Sequence, residues 1–156
     1  MSVGVCALVT WIVLIIFTVM PKKLSELDMV FLYFVNTIFE LSVFSIVHIN
    51  LKWLTVSHRV EESFADLILR LIMIPVVFII ATNILLYSWK FLKWMILIGI
   101  IIFFIMLSFL LEKLGVITLH HWNIFYTIIM FSSYAVFSRL MAWFIVNAGR
   151  KEVKKI

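Results

Sequence analysis

Five long and almost uninterrupted apolar segments set the strongest constraint on what this chain can fold into. An α-helix needs about 20 apolar residues to cross the hydrocarbon core of a bilayer. Each segment is close to that length, and each is continuously apolar rather than alternating, as the strands of a β-barrel would be. The sequence therefore predicts an all-α, polytopic membrane protein, with five transmembrane helices in a compact bundle that forms a single membrane domain over residues 1–156. The predicted spans are Val3–Met20, Met29–Ile49, Leu67–Tyr87, Leu92–Leu111 and Trp122–Val146.

The amino-acid composition argues against an ordinary water-soluble domain. Hydrophobic residues make up 65% of the chain and charged residues 13%, whereas soluble domains have about 45–50% and about 25%. In water, so apolar a chain would expose large surfaces that associate with one another. The net charge of +5 raises nucleic acid as a partner, but the basic residues lie mostly in short loops and in the tail. We therefore expect the lipid bilayer, and no nucleic acid, as a partner.

Two boundaries rest on weaker signals. The stretch Leu67–Leu111 is interrupted only near Ser88–Lys93, and one helix of that length would be about 67 Å long at about 1.5 Å per residue. No bilayer buries such a length, so we predict a tight turn at Ser88–Lys93. Between the second and third spans, Leu51, Leu54 and His58 recur at helical spacing. This spacing predicts a short helix that lies in the membrane interface.

Lysine and arginine residues predict the orientation, because cytoplasmic loops of membrane proteins carry an excess of them. With five spans, the first loop, the third loop and the C-terminal tail share one side and hold eight of the 13 basic residues. The other side holds three. We therefore expect the N-terminus outside and the C-terminus in the cytoplasm. The first side carries Lys22, Lys23, Lys90, Lys93, Arg150, Lys151, Lys154 and Lys155, and the other carries Lys52, Arg59 and Lys113.

One face of the second span is polar and includes an ionisable group near the middle of the membrane. Tyr33, Asn36, Thr37 and Glu40 share an arc of about 100° on this helix. A carboxylate in lipid is costly and normally has a partner, and we predict Arg139 of the fifth span as that partner. The functional interpretation of this cluster is a proton or ion relay, or a polar substrate pocket. The structural interpretation is a clamp between helices, or an arginine that extends to the cytoplasmic headgroups while Glu40 is protonated. Relays usually contain more ionisable groups than this, which favours the clamp.

The remaining polar residues form no recognisable catalytic or metal-binding pattern. Glu112, His120 and His121 could in principle bind a divalent metal, but adjacent histidines cannot easily direct both rings at one ion from a regular helix. The sequence contains no HExxH, GxSxG, P-loop or GxGxxG motif. We therefore expect no metal, no cofactor and no enzymatic activity.

The segment Leu111–Asn123 combines a glutamate, a glycine and a short loop that ends in His-Trp-Asn. In this pattern the chain resembles an uncharacterised family of small five-helix integral membrane proteins of spore-forming Gram-positive bacteria, which also tend to carry a proline at the position of Pro75. The resemblance implies a bacterial cytoplasmic membrane. It also implies a structural fourth loop, in which Trp122 anchors at the outer interface and Asn123 caps the fifth helix. The matching positions are Glu112, Gly115, His121, Trp122 and Asn123.

These features lead to three hypotheses about function. The first is a non-enzymatic component or subunit of a bacterial envelope assembly, with a membrane protein partner or further copies of the chain around it. Short loops and the lack of a catalytic pattern favour this hypothesis. The first alternative is a small transporter or ion-channel element that uses the polar face around Glu40. The second alternative is a holin-like or immunity membrane protein, which the small size and the lysine-rich tail suggest.

Overall fold

The chain folds into a bundle of long helices. A computed structural model describes residues 1–87 and 91–153, with side chains described up to residue 147. Five helices in this part of the chain are long and apolar enough to cross a membrane. The predicted all-α fold of a multi-pass membrane protein is therefore confirmed. The helices are α1 (Ser2–Val19), α2 (Glu26–Asn50), α3 (Val60–Leu85), α4 (Leu92–Lys113) and α5 (Ile124–Val153).

Local capping sets where α2 begins. The Ser25 hydroxyl accepts a hydrogen bond from the Asp28 amide at 3.2 Å, and the Asp28 carboxylate accepts one from the Ser25 amide at 3.2 Å. This reciprocal capping box satisfies two donors that a helix start leaves unpaired. As a result α2 begins at Glu26 rather than at the predicted Met29. Residues 88–90 of the predicted turn lie outside the described residues, and α4 begins at Leu92 as predicted.

The predicted interfacial helix between the second and third spans is wrong, because this segment pairs with a distant loop. Strand β1 (Leu54–Val56) forms an antiparallel ladder with strand β2 (Ile117–Leu119). Two further backbone bonds extend the pairing, from the amide of His120 to the carbonyl of Trp53 and from the amide of Ser57 to the carbonyl of Val116, both at 3.0 Å. We call the side of the bundle that carries this pair of strands the ribbon end.

The opposite side of the bundle is held together by a buried amide. Loop 1 (residues 20–25) joins α1 to α2, and the fully buried Asn83 of α3 contacts it twice. The Asn83 side chain accepts from the Lys23 amide at 2.7 Å and donates to the Pro21 carbonyl at 2.8 Å. The Tyr87 hydroxyl also donates to the Pro21 carbonyl, at 3.1 Å. These bonds place loop 1 beside the C-terminal end of α3, and we call this side the loop 1 end.

Helix α3 occupies the centre of the bundle. Its most apolar stretch is 67% buried, against 17–22% in the other four helices, and it packs against all four of them. The rings of Phe78 on α3, Phe104 on α4 and Phe131 on α5 form part of this core, with Phe104 and Phe131 stacked 3.8 Å apart. The outward faces of the surrounding helices carry exposed leucine, isoleucine and phenylalanine. Apolar faces of this kind suit a lipid environment.

Candidate intramembrane polar site

The carboxylate of Glu40 lies inside the bundle and is paired with an arginine of the neighbouring helix. Only 2% of the Glu40 surface is exposed, and its Oε1 accepts a hydrogen bond from Nη1 of Arg70 at 2.7 Å. The prediction that Arg139 pairs with Glu40 is therefore wrong. Both residues of the actual pair lie in the half of the bundle toward the ribbon end, on α2 and α3.

Arg70 joins a second carboxylate and an aromatic ring to the same cluster. Its Nε donates to Oδ2 of Asp66 at 2.7 Å, one turn earlier on α3. Its guanidinium carbon lies 3.4 Å from the centre of the Phe44 ring, a distance typical of cation–π stacking. We call Glu40, Asp66 and Arg70 the triad. All three side chains are largely buried, with 2%, 8% and 12% of their surfaces exposed.

Arg70 lies in a π-helical turn of α3. The segment Leu69–Met73 of α3 is π-helical, and Pro75 follows two residues later. Single π turns occur inside α-helices frequently at functional sites. Proline has no amide hydrogen, so the carbonyl four residues earlier, that of Leu71, loses its usual donor. In a membrane such a carbonyl must be satisfied by a neighbour.

Tyr33 supplies the donor that Pro75 removes. The Tyr33 hydroxyl donates to the Leu71 carbonyl at 2.7 Å. This residue belongs to the predicted polar face, but it contacts the backbone of α3 rather than Glu40. The Thr37 hydroxyl bonds to the Tyr33 carbonyl of its own helix at 2.7 Å. The residues of the predicted polar face therefore form hydrogen bonds to different groups instead of forming one cluster.

The fourth member of that face, Asn36, forms a second buried contact. Its amide nitrogen donates to the hydroxyl of Ser138 on α5 at 3.0 Å, and that hydroxyl lies 2.7 Å from the hydroxyl of Thr82 on α3. We call Asn36, Thr82 and Ser138 the hydroxyl–amide node. Each of these side chains is at most 5% exposed. The node joins three helices, which is the arrangement by which polar side chains hold membrane helices together.

The charges of the triad do not balance when all three groups are ionised. Two carboxylates face one guanidinium, and Oε2 of Glu40 is buried without a hydrogen-bond partner among the described residues. An unpaired buried carboxylate oxygen is costly in a medium of low dielectric constant. A cavity of about 60 Å³ borders Asp66 and Arg70. A cavity of that volume can hold a small number of water molecules.

Arg139 lies on a different side of α5 from the node. It is half-buried and borders a groove between α3, α4 and α5, together with Lys93. No carboxylate lies within 4 Å of its guanidinium among the described side chains. The structure therefore brings together Glu40 with Arg70 and Asn36 with Ser138, and leaves Arg139 outside both contacts.

The predicted outer motif forms the junction between α4 and α5. Gly115 has a φ of +71°, and the amides of Gly115 and Val116 donate to the carbonyls of Glu112 and Leu111 at 3.0 Å. This is a Schellman cap, which favours glycine because of the positive φ. The sequence predicts a helix C-cap or a turn at Gly115, just after Lys113, and the cap confirms this prediction. The Glu112 side chain is exposed.

The end of this motif begins α5. The carbonyl of Asn123 accepts from the amides of Tyr126 and Thr127 at 2.9 and 3.3 Å, so Asn123 lies at the N-cap position. The Trp122 indole donates to the Thr127 hydroxyl at 2.7 Å. His121 is exposed. The described residues contain no group of three or more His, Cys, Asp or Glu side chains placed to hold a metal ion.

Asp66, Arg70 and Phe44 are the members of the site that sequence reasoning missed. The sequence predicts Asp66 in the loop before a third span that begins at Leu67, whereas α3 begins at Val60. The i, i+4 spacing of Asp66 and Arg70 is the signal that would have found them, because such a pair faces the same side of a helix.

Comparison of the chain with protein-family models, with curated proteins and with solved structures gives no match.

Proposed function

We propose that this chain is a non-enzymatic structural component of a bacterial envelope assembly. The observation that supports this function is that polar side chains of the spans join one helix to another. The triad joins α2 to α3, the hydroxyl–amide node joins α2, α3 and α5, and Asn83 joins loop 1 to α3. Each contact fixes the position and rotation of a helix. A bundle fixed in this way suits a scaffold on which other membrane proteins assemble.

The cavities of the described part favour a scaffold over a conducting pore in one copy. A path for ions or polar substrates needs polar groups that line a continuous passage. Here the members of the triad and of the hydroxyl–amide node bond to one another, apart from Oε2 of Glu40, and the cavity beside the triad measures about 60 Å³. The larger grooves have mainly apolar walls, such as those of about 480 and 330 Å³ on either side of α4.

We propose a bacterial cytoplasmic membrane, with the N-terminus outside and the C-terminus in the cytoplasm. The segment Leu111–Asn123 resembles a family of small membrane proteins of spore-forming Gram-positive bacteria, and this resemblance supports a bacterial membrane. The sequence count supports the orientation, because the first loop, the third loop and the C-terminal tail hold eight basic residues, against three in the remaining loops. In this orientation the strands β1 and β2 lie outside, and loop 1 faces the cytoplasm.

Chemical cross-linking in the native membrane tests the proposed assembly. A tagged copy expressed at its native level should be cross-linked into a species well above the 18.3 kDa of one chain. Two differently tagged copies in one cell distinguish self-association from a different partner, because only self-association brings both tags into one species. Recovery of the monomer alone, from cells in which the chain is folded and at its native level, would contradict a role in an assembly.

A proton-coupled transporter element is the second candidate. It is favoured by the unpartnered Oε2 of Glu40 in a cluster with one excess carboxylate. Proton flux should be compared in liposomes that contain the wild type, the Glu40→Gln variant and a matched Glu112→Gln variant, whose carboxylate is exposed. Flux that Glu40→Gln abolishes and Glu112→Gln retains would favour the transporter. Background leak in all three preparations would remove this candidate and leave the scaffold.

A further inference from the structure

A groove on the lipid-facing surface carries two basic residues at one end. It lies between α3, α4 and α5 and has a volume of about 480 Å³, within the range of about 300–1,000 Å³ that is usual for small-molecule sites. Its walls are almost entirely apolar, with Phe78, Ile101 and Phe131 toward the middle of the membrane. Lys93 and Arg139 border it toward the loop 1 end.

The length of the groove matches one leaflet of a bilayer. Along α4 its lining extends from Lys93 to Ile101, which is eight residues or about 12 Å at about 1.5 Å per residue. One leaflet contributes about half of a hydrocarbon core of about 30 Å. A hydrocarbon chain that lies along α4 would therefore extend from the level of Lys93 to near the middle of the membrane.

The charge at the end of the groove calls for an anion. Arg139 lies within a membrane span, about 12 Å before the end of the apolar part of α5 at Asn147, at about 1.5 Å per residue. A cation at such a depth needs a partner or access to a headgroup. The described side chains offer Arg139 no carboxylate within 4 Å. A phosphate oxygen satisfies a guanidinium well, because two parallel N–H donors match two phosphate oxygens.

A second groove provides an internal comparison. It lies between α1, α3 and α4 on the other side of α4, has a volume of about 330 Å³, and is lined only by apolar residues such as Ile12 and Ile84. Both grooves include Ile100, so they lie at a similar depth. Hydrocarbon chains can fill either groove, but only the groove with Lys93 and Arg139 distinguishes an anionic headgroup from a neutral one.

We propose that the groove between α3, α4 and α5 binds an anionic phospholipid of the surrounding bilayer, with one acyl chain along α4 and the phosphate between Lys93 and Arg139. Clusters of basic residues attract anionic lipids with about 1 kcal/mol for each Lys or Arg near the membrane surface. At about 1.4 kcal/mol per factor of ten, loss of one cation weakens binding about fivefold.

Native mass spectrometry of the purified full chain tests this site with two probes, phosphatidylglycerol and phosphatidylcholine. The first two variants, which we call the charge pair, are Arg139→Gln and its control Lys22→Gln. The control removes a cation from the same end of the bundle but outside the groove. The shape pair is Ala135→Trp, which fills the groove, against Ile12→Trp, which fills the apolar groove. The wild type should retain one phosphatidylglycerol in preference to phosphatidylcholine.

In each pair, the test variant should bind phosphatidylglycerol more weakly than its control does. Arg139→Gln should weaken phosphatidylglycerol binding about fivefold and Ala135→Trp should weaken it at least as much, whereas Lys22→Gln and Ile12→Trp should leave it near the wild-type level. Equal retention of the two lipids by the wild type would overturn the proposal. So would equal losses in the charge pair, which attraction by the overall positive charge predicts, or equal losses in the shape pair, which non-specific contact with lipid predicts. Should Arg139→Gln fail to fold, the shape pair decides alone, since it changes no charge.

Discussion

Replacement of Arg70 by glutamine should destabilise the bundle far more than replacement of Glu40 by glutamine. Arg70 donates to two carboxylates at 2.7 Å and is only 12% exposed. Its removal leaves two carboxyl groups buried in the bundle without a cation. Loss of one partner from a buried ion pair costs about 3–5 kcal/mol. We therefore expect Arg70→Gln to lower the free energy of unfolding by about 3 kcal/mol.

Glu40→Gln should cost less than about 1 kcal/mol, because the glutamine oxygen can still accept the hydrogen bond from Arg70. The variant also removes the excess negative charge of the triad and leaves Asp66 to pair with the arginine. The asymmetry between the two variants follows from one guanidinium that serves two carboxylates. In an ion pair with one cation and one carboxylate, replacement of either partner would lower the free energy of unfolding by a similar amount.

Equilibrium unfolding by sodium dodecyl sulfate in mixed micelles, followed by circular dichroism, measures both variants. Arg59→Gln is the matched control, because the Arg59 side chain is 84% exposed and its 3.6 Å contact with Glu62, which is 14% exposed, is longer than either bond of Arg70. Water screens the exposed guanidinium, so this variant should cost less than about 1 kcal/mol. Arg70→Gln within about 1 kcal/mol of the wild type would refute the triad as a buried contact. An effect of Glu40→Gln as large as that of Arg70→Gln would refute the argument from unbalanced charge.

Three further predictions concern the backbone and the two ends of the bundle. Gly115→Ala should lower the free energy of unfolding by about 1 kcal/mol because of the positive φ at this residue. The control Gly99→Ala, inside α4, should be neutral or stabilising. Thermal unfolding in detergent compares the two variants. Tyr33→Phe should lower the free energy of unfolding by about 1 kcal/mol. The loss should be smaller in a Pro75→Ala background, where the amide of residue 75 supplies a donor again. A double-mutant cycle of these two substitutions that shows no coupling would contradict this prediction. Asn83→Ala should speed tryptic cleavage in loop 1 by roughly tenfold, because two hydrogen bonds that hold the loop are lost, and unchanged cleavage would contradict that anchor.

The sequence was sufficient to predict features that depend on local patterns. The apolar segments predict five helices because length and hydropathy alone decide whether a helix can cross a bilayer. The cap at Gly115 is equally local, because it depends on one residue that tolerates a positive φ. The predicted start of the third span at Leu67 differs from the observed start of α3 at Val60, because charged residues near a helix end resemble a loop in hydropathy.

Contacts between distant segments were not predictable in the same way. Arg139 and Glu40 have compatible depths, but depth does not determine which way a helix is rotated about its axis. Rotation depends on the packing of all five helices, and it directs Arg139 to a groove and Arg70 to Glu40. The pairing of β1 with β2 depends likewise on two loops that meet only when the helices between them are packed.

Labelling of single cysteines in intact cells tests most directly whether the helices cross the membrane as described. In a Cys6→Ala background, cysteine at Ser57 or His121 marks the ribbon end, and cysteine at Lys22 marks loop 1. A membrane-impermeant maleimide should label positions 57 and 121 in intact cells, and position 22 only after the membrane is opened. Labelling of positions 22 and 57 from the same side of the membrane would contradict the alternation of the helices on which the whole account depends.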